Sequence, residues 1–166
     1  TLNDDVRVVL IKLADRLHNC RTIEYMPEHK RDKILSETMF VFIPLAHRLG
    51  LYGVKSEMED IWLRYKEPEA FNDITAKINR NVIDKDKEIN DFIAPIDAAL
   101  KSAGFVFEIK KRVKTPYSIW NKMNNKGIDF DQIYDLYAVR IIFDPDQASN
   151  ETERDQCYHI FSIITA

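Results

Sequence analysis

Two stretches hold residue types whose spacing could do chemistry, and the richer runs from Glu108 to Asp144, EIKKRVKTPYSIWNKMNNKGIDFDQIYDLYAVRIIFD. Arg112 and Lys114 stand two apart in an extended run, which puts them on one face of a strand. Thr115-Pro116 is a helix start, since threonine can cap the orphan amides and proline suits the first helical position. Ser118 and Lys122, four apart on that helix, share a face one turn apart. Helix-end amides, a hydroxyl and three cations together make a trap for a polyphosphate. Gly127 stops the helix, and Asp135 opens a second strand over Leu136 to Phe143. A carboxylate there suits a magnesium ion that bridges phosphate oxygens. Arg140 has the opposite strand parity to Asp135, so both face one pocket only if the strand bulges.

The second stretch is KLADRLHNCRT, Lys12 to Thr22. A helix capped by Asn3-Asp4-Asp5 and running to about Thr22 places Val6, Val9, Leu10, Leu13 and Leu17 in one apolar stripe. Asp15, His18, Asn19 and Thr22 fall on its other side. Val8 and Ile11 flank them, so this side is expected to be partly buried too. A carboxylate in such a setting needs a partner, and a metal ion is one candidate. Taken as residues alone, both stretches also fit blander readings: a solvated basic hairpin edge, and an amphipathic surface helix.

The ordered string RVKxPYSIWxKM…YDLYAVR resembles the synthetase domain of the RelA/SpoT family, enzymes that make and degrade the alarmone (p)ppGpp. The resemblance implies that Arg112, Lys114, Ser118 and Lys122 contact ATP phosphates and that Asp135 holds Mg2+. The reaction it implies is transfer of pyrophosphate from ATP to the 3′-hydroxyl of GDP or GTP. KLADRLHNCRT resembles the hydrolase domain of the same family, one of the HD metal-phosphohydrolases. By that match Asp15 is a Mn2+ ligand, and Asn19 and Thr22 line a guanosine nucleotide pocket, while His18 receives no role. A third string, PLAHRLGLYGVKSEMED, resembles the helical segment joining the two domains. The family's manganese set also needs two histidines and an aspartate, including an adjacent His-Asp pair, and no His-Asp dipeptide occurs in this chain. A glutamate base and a guanine-stacking tyrosine of the synthetase lie beyond the point matching Ala166. The expectation is therefore a segment without turnover of its own, with a non-catalytic nucleotide-binding regulatory module as the alternative.

These residues need elements to position them. From Pro27 to Gly50 a second helix is expected, with Ile34, Leu35, Met39, Phe42 and Ile43 inward, a kink at Pro44 and a stop at Gly50. His47 and Arg48 read as helix-end residues. Glu57, Glu59 and Asp60, crowded beside Lys55, read as solvated surface. Helix continues through Ile61, Trp62 and Tyr65, breaks at Pro68 and resumes to about Ala103. Phe71, Ile74, Ile78, Val82, Ile89, Phe92, Ile93 and Ile96 form its stripe, and Lys85-Asp86-Lys87-Glu88 a solvated run. At Phe105 the period turns from helical to alternating, and after Asp144-Pro145-Asp146 a polar loop leads to a last helix with Arg154, Cys157 and Tyr158.

The expected fold is therefore α+β and mainly helical. The C-terminal helices of an HD-type hydrolase (1–66) lead through connecting helices (67–104) to the first half of a nucleotidyltransferase-like synthetase domain (105–166). Both ends read as cut, because the chain begins at Thr1 inside a helical pattern and stops while an apolar pattern is running.

With 166 residues there is material for a real core. A formal net charge of −3 argues against nucleic acid or membrane partners, whereas Lys110, Lys111, Arg112, Lys114, Lys122 and Lys126 concentrate positive charge in one window. That favours a small anion. Cys20 and Cys157 are too few for a disulfide framework, which fits a reducing cytoplasm. The resemblance implies ATP, GDP or GTP and (p)ppGpp as ligands, with ribosome contact only through regions this chain does not contain.

Overall fold

The computed structural model describes residues 6–146 and 151–165; the Asn3-Asp4-Asp5 cap lies outside them. By packing, the chain forms two units: the residues up to Ala76 with Thr115–Ile133, and Lys77–Lys114 with the residues from Tyr134 on.

In the first unit α1 spans Val6–Arg21, α2 Glu28–Glu37, α3 Ile43–Arg48 and α4 Tyr52–Lys66. Val9 and Leu13 of α1 and Cys20 near its end meet Ile43, Ala46, Met58 and Ile61 in one buried cluster. The three-four spacing of these residues turns a single face of each helix inward, and that burial is the main stabilising term. Leu13, 2% exposed, sits at the centre. Leu13→Ala should cost about 2–5 kcal/mol, checked by the urea midpoint of the purified chain.

The helix expected over Pro27–Gly50 is in fact two helices with a wider π-type turn, Thr38–Phe42, between them. Ile43 donates its amide to the Thr38 carbonyl, five residues back instead of four. Pro44 explains the position. It has no amide for the Phe40 carbonyl and its ring crowds that carbonyl, so the ladder loosens just ahead of it. Leu35 and Ile43 are buried as expected, with Ile34, Met39 and Phe42 partly so.

The polar side of α1 departs from expectation. It is open at Asp15 and His18, with Ile11 69% exposed, and only Asn19 and Thr22 are partly buried as expected. The apolar residues flanking Asp15 suggested cover, but no described element packs over them.

α5, Pro68–Ser102, begins at Pro68 and carries Pro95 within it. Ile96 and Leu100 near its end form the core of the second unit with Ile160 of α7, Glu153–Thr165. Phe92, expected in the buried stripe, is exposed instead. Over this core lies a two-stranded antiparallel sheet of β1, Phe107–Val113, and β2, Tyr137–Phe143. Alternation sends Phe107, Ile109, Ile141 and Phe143 to the core side and leaves Glu108, Lys110, Arg112, Ala138, Arg140 and Ile142 outward. Lys111 lies on the inner-facing parity, and its ammonium reaches Asp86 of α5 at 2.7 Å. That contact holds the Asp86 carboxyl below its ordinary range.

Between the strands in sequence, α6 spans Pro116–Lys126 and belongs to the first unit, where it packs on α4. Thr115 caps it, accepting from the Ser118 amide at 3.3 Å, and Gly127 closes it at φ 60°, a left-handed conformation that favours glycine. Ile119 is fully buried, and the rings of Trp62, Tyr117 and Trp120 lie edge-on or tilted at centroid distances of 5.7–6.1 Å. Thr115→Ala should lower stability by about 1 kcal/mol through the lost cap, again read from the urea midpoint.

Candidate functional site

Residues opposite one another in an antiparallel pair point to the same face. The register sets Lys110 opposite Arg140 and Arg112 opposite Ala138. Arg140, Lys110 and Arg112 therefore share the outward face of the sheet. The parity objection to Arg140 dissolves because Asp135 lies outside β2, two residues before its start and ahead of a bend at Leu136. Strand parity cannot be counted across that bend.

Glu108 neutralises Lys110 at 3.0 Å, while neither the Arg112 nor the Arg140 guanidinium has a hydrogen-bond or ion-pair partner among the described residues. Two exposed guanidinium groups on one face, each with unused planar donors, form a surface suited to anions and to flat rings.

Lys114 lies just past β1, and its amide donates to the Leu136 carbonyl at 2.9 Å, extending the pairing by one rung. That rung brings its ammonium to Asp135 Oδ2, also at 2.9 Å, in a partly exposed ion pair. Such a pair adds little to stability. What it does is hold a cation and a carboxylate side by side. A single carboxylate completed by water and phosphate oxygens is a usual magnesium environment, so the residues present fit that ion, with Lys114 balancing the charge of Asp135.

Ser118 and Lys122 are both partly buried on α6, in the first unit. The free helix-end amides expected beside them are not free. Pro116 has none; the Tyr117 amide donates to Asp60 Oδ1 at 2.9 Å, Ser118 to Thr115 Oγ1, and Ile119 to the Thr115 carbonyl at 3.1 Å. Any phosphate recognition by α6 falls to its side chains.

In α1, Asn19 Nδ2 donates to Asp15 Oδ2 at 3.2 Å, and the Thr22 hydroxyl donates to the His18 carbonyl at 2.9 Å. Asp15, exposed, and Asn19, partly buried, are thus brought together one turn apart. Among the described residues no group of three or more His, Cys, Asp or Glu could hold a metal ion. A single exposed carboxylate at Asp15 does not by itself make a metal site.

The acidic run on α4 corrects the expectation of solvated surface. Glu59 is 6% exposed and accepts from Lys55 Nζ at 2.6 Å. Glu57 takes a two-pronged bond from Arg21 at 2.5 and 2.8 Å, which lowers its carboxyl pKa. Asp60 is half-buried, and burial is the main cause that pushes it up to about 6, against the opposing pull of the Tyr117 amide and with a further push from Glu59. The sequence carried part of this signal, in the helical spacing of Lys55 and Glu59 and the apolar Met58, Ile61 and Leu63 around them. His47, beside Tyr52 in an edge-on ring contact at 5.6 Å, keeps its structural reading.

Known proteins locate this arrangement within a class. An HD domain model matches residues 1–52, and a model described as a region found in RelA / SpoT proteins matches residues 111–166. A GTP pyrophosphokinase of Myxococcus xanthus is 44% identical over 138 residues, covering 83% of this chain and 18% of that protein. The GTP pyrophosphokinase rsh of Brucella melitensis is 34% identical over 98% of this chain and 21% of its own length. A guanosine-3′,5′-bis(diphosphate) 3′-pyrophosphohydrolase of Aquifex aeolicus is 36% identical over 97% of this chain and 22% of its length.

The class is thus an HD-type helical segment followed by a region of the kind found in RelA / SpoT proteins. The chain belongs to the RelA/SpoT family. It spans about a fifth of the length of these curated relatives.

Proposed function

We propose that the full-length protein is an alarmone enzyme that transfers pyrophosphate from ATP to the 3′-hydroxyl of GDP or GTP and hydrolyses (p)ppGpp back to GDP or GTP and pyrophosphate. The observation that carries the synthetic half is the pairing of Lys114 with Asp135 beside a sheet face bearing Arg112 and Arg140. The names of the relatives support both halves.

Arg112, Lys114, Ser118 and Lys122 are the ATP-phosphate contacts in this reading, and Arg140 adds a second guanidinium beside Arg112. Asp135 would hold Mg2+, which offsets phosphate charge during transfer when bound. Lys114, released from Asp135 as the nucleotide arrives, turns its charge to the phosphates. These residues act by positioning and by charge, which is most of what phosphoryl-type transfer asks of a protein. Asn19 and Thr22 would line the hydrolase nucleotide pocket, with Asp15 giving one ligand to Mn2+.

An enzyme that draws on ATP and guanine nucleotides works where those pools are, and both cysteines are free thiols, as a reducing compartment favours. We assign the protein to the cytoplasm on those two grounds, with ribosome contact left to regions outside this chain. No helix among the described residues is long and apolar enough to cross a membrane.

The test is a turnover assay. The full-length protein should form ppGpp from ATP and GDP with Mg2+ and degrade it with Mn2+. The 166-residue chain should do neither, because no His-Asp pair occurs in it and the family resemblance implies a glutamate base that none of its residues matches. Nucleotide binding by the full-length protein without either turnover would favour the regulatory-module alternative. In the full-length protein Lys122→Ala should weaken ATP binding by about tenfold, the loss of one charge-assisted phosphate contact, measured by calorimetry.

A further inference from the structure

Asp60 reaches α6 from a different helix and takes the Tyr117 amide, while Thr115 takes the Ser118 amide in the ordinary way. A local cap was already in place. The second one is tertiary, and it attaches α6 to α4 one residue before Ser118. Its carboxylate occupies the place where an anion would sit at a helix N-terminus. Around it, Arg21, Glu57, Ile61, Arg64 and Phe71 line a cavity of about 520 Å3 with Asp60 itself.

The charged neighbours are accounted for. Glu57 is bound by Arg21 from α1, Glu59 by Lys55 on α4, and the Arg64 guanidinium lies over the Tyr65 ring at 5.5 Å. Tyr117 meets Asp60 from α6 through its amide, its ring packs edge-on against Trp62 and tilted against Trp120, and among the described residues α5 contributes the apolar Phe71 to the cavity. The Tyr117 hydroxyl turns to Met39 Sδ of the π-type turn at 3.9 Å. No described cation neutralises Asp60. Its charge is held by a backbone amide and the positive end of α6.

We propose that Asp60 is a positioning residue for the synthetase reaction: its charged carboxylate locks the first turn of α6 and so sets the presentation of Ser118 and Lys122 to the nucleotide phosphates. The proposal rests on the functional reading given above. A charged acceptor makes a hydrogen bond roughly twice as strong as a neutral one, so the lock weakens when Asp60 takes up a proton. Burial brings that event to about pH 6, within reach of ordinary assays.

The role of Asp60 toward ATP and its effect on stability run in opposite directions with pH. A carboxyl raised from its usual 3.8 to about 6 stabilises the fold fully only below its unfolded value, and that contribution is lost as pH rises through 6. At pH 8 the charged form is therefore kept at a cost. Asp60→Asn, which keeps an acceptor and discards the charge, should unfold at a higher urea concentration than wild type at pH 8, with the gain vanishing below pH 4.

The experiment uses the full-length protein with ATP and GDP as probes. In wild type, the KM for ATP should rise about threefold between pH 8 and pH 5.5. Asp60→Asn should show the raised KM at both pH values, with kcat at saturating ATP within about twofold. Asp60→Ala should raise KM about tenfold and speed hydrogen exchange of the Tyr117 amide by at least tenfold. (p)ppGpp hydrolysis should be unchanged in both. A more stable variant with a poorer KM cannot be explained by a structural role alone. An Asp60→Asn variant that matched wild type at pH 8, or kept its pH dependence, would overturn the proposal, as would Tyr117 exchange unaltered in Asp60→Ala. If wild type made no ppGpp, the functional reading would fall instead, and with it the role toward ATP. The exchange result would separately decide whether the lock exists.

Discussion

Asp135→Asn in the full-length protein should lower ppGpp synthesis by about 10²–10³-fold, the range for removing one group that stabilises developing charge, while ATP affinity falls no more than about threefold. The reason lies in the pair at 2.9 Å. Asp135 and Lys114 balance one another, and removing the carboxylate's charge leaves Lys114 free to bind phosphate. The cations at Arg112 and Lys122 remain. Ground-state binding therefore survives, and what goes is the ligand for the magnesium ion, whose effect concentrates in the transition state. Lys122→Ala makes the contrast, because it removes a phosphate contact and should weaken binding and turnover together. Calorimetry with ATP and steady-state rates at saturating Mg2+ separate the two. If Asp135→Asn bound ATP as poorly as Lys122→Ala yet kept its rate at saturating ATP, Asp135 would not be the metal ligand.

Asp15→Ala should lower (p)ppGpp hydrolysis at least a hundredfold and leave synthesis within about twofold. Loss of even an outer partner of a metal costs about 10–100-fold, and Asp15 is proposed to touch the ion. It also orients Asn19 through the 3.2 Å bond, so the substitution disturbs two residues of the proposed pocket together. Its exposure makes a folding explanation testable. A substitution at an open position away from the core changes stability by no more than about 0.5 kcal/mol, and the urea midpoint should barely move. Parallel loss of both activities with a lowered midpoint would show a folding defect and remove the case for Asp15 as a ligand. Manganese content of the purified protein gives an independent readout, expected to drop with hydrolysis.

Chemistry that depends on short spacing is legible in the amino-acid sequence by itself. The Thr115-Pro116 start, the Gly127 stop and the one-turn spacing of Ser118 and Lys122 all follow from local backbone rules. α6 obeys them, with Thr115 Oγ1 on the Ser118 amide and Gly127 at φ 60°. The outward placement of Arg112 likewise follows from alternation along β1. Asp15 and Asn19 meet because they stand four apart on one helix.

Groups brought together from distant parts of the chain are not legible there. Parity counted back to Asp135 separates Arg140 from the site, and only the bend at Leu136 and the pairing with Lys110 place it beside Arg112. The side of α1 that carries Asp15 is open although Val8 and Ile11 suggest cover, because an apolar residue favours burial without supplying a neighbour. Glu59 and Asp60 read as solvated because nothing in sequence places Tyr117, 57 residues on, against Asp60. Periodicity and capping determine each helix and strand by itself, since their hydrogen bonds close within a few residues. Which distant carboxylate meets which amide is decided by how those elements pack, and that is why the Tyr117 amide at the head of α6 is taken by Asp60.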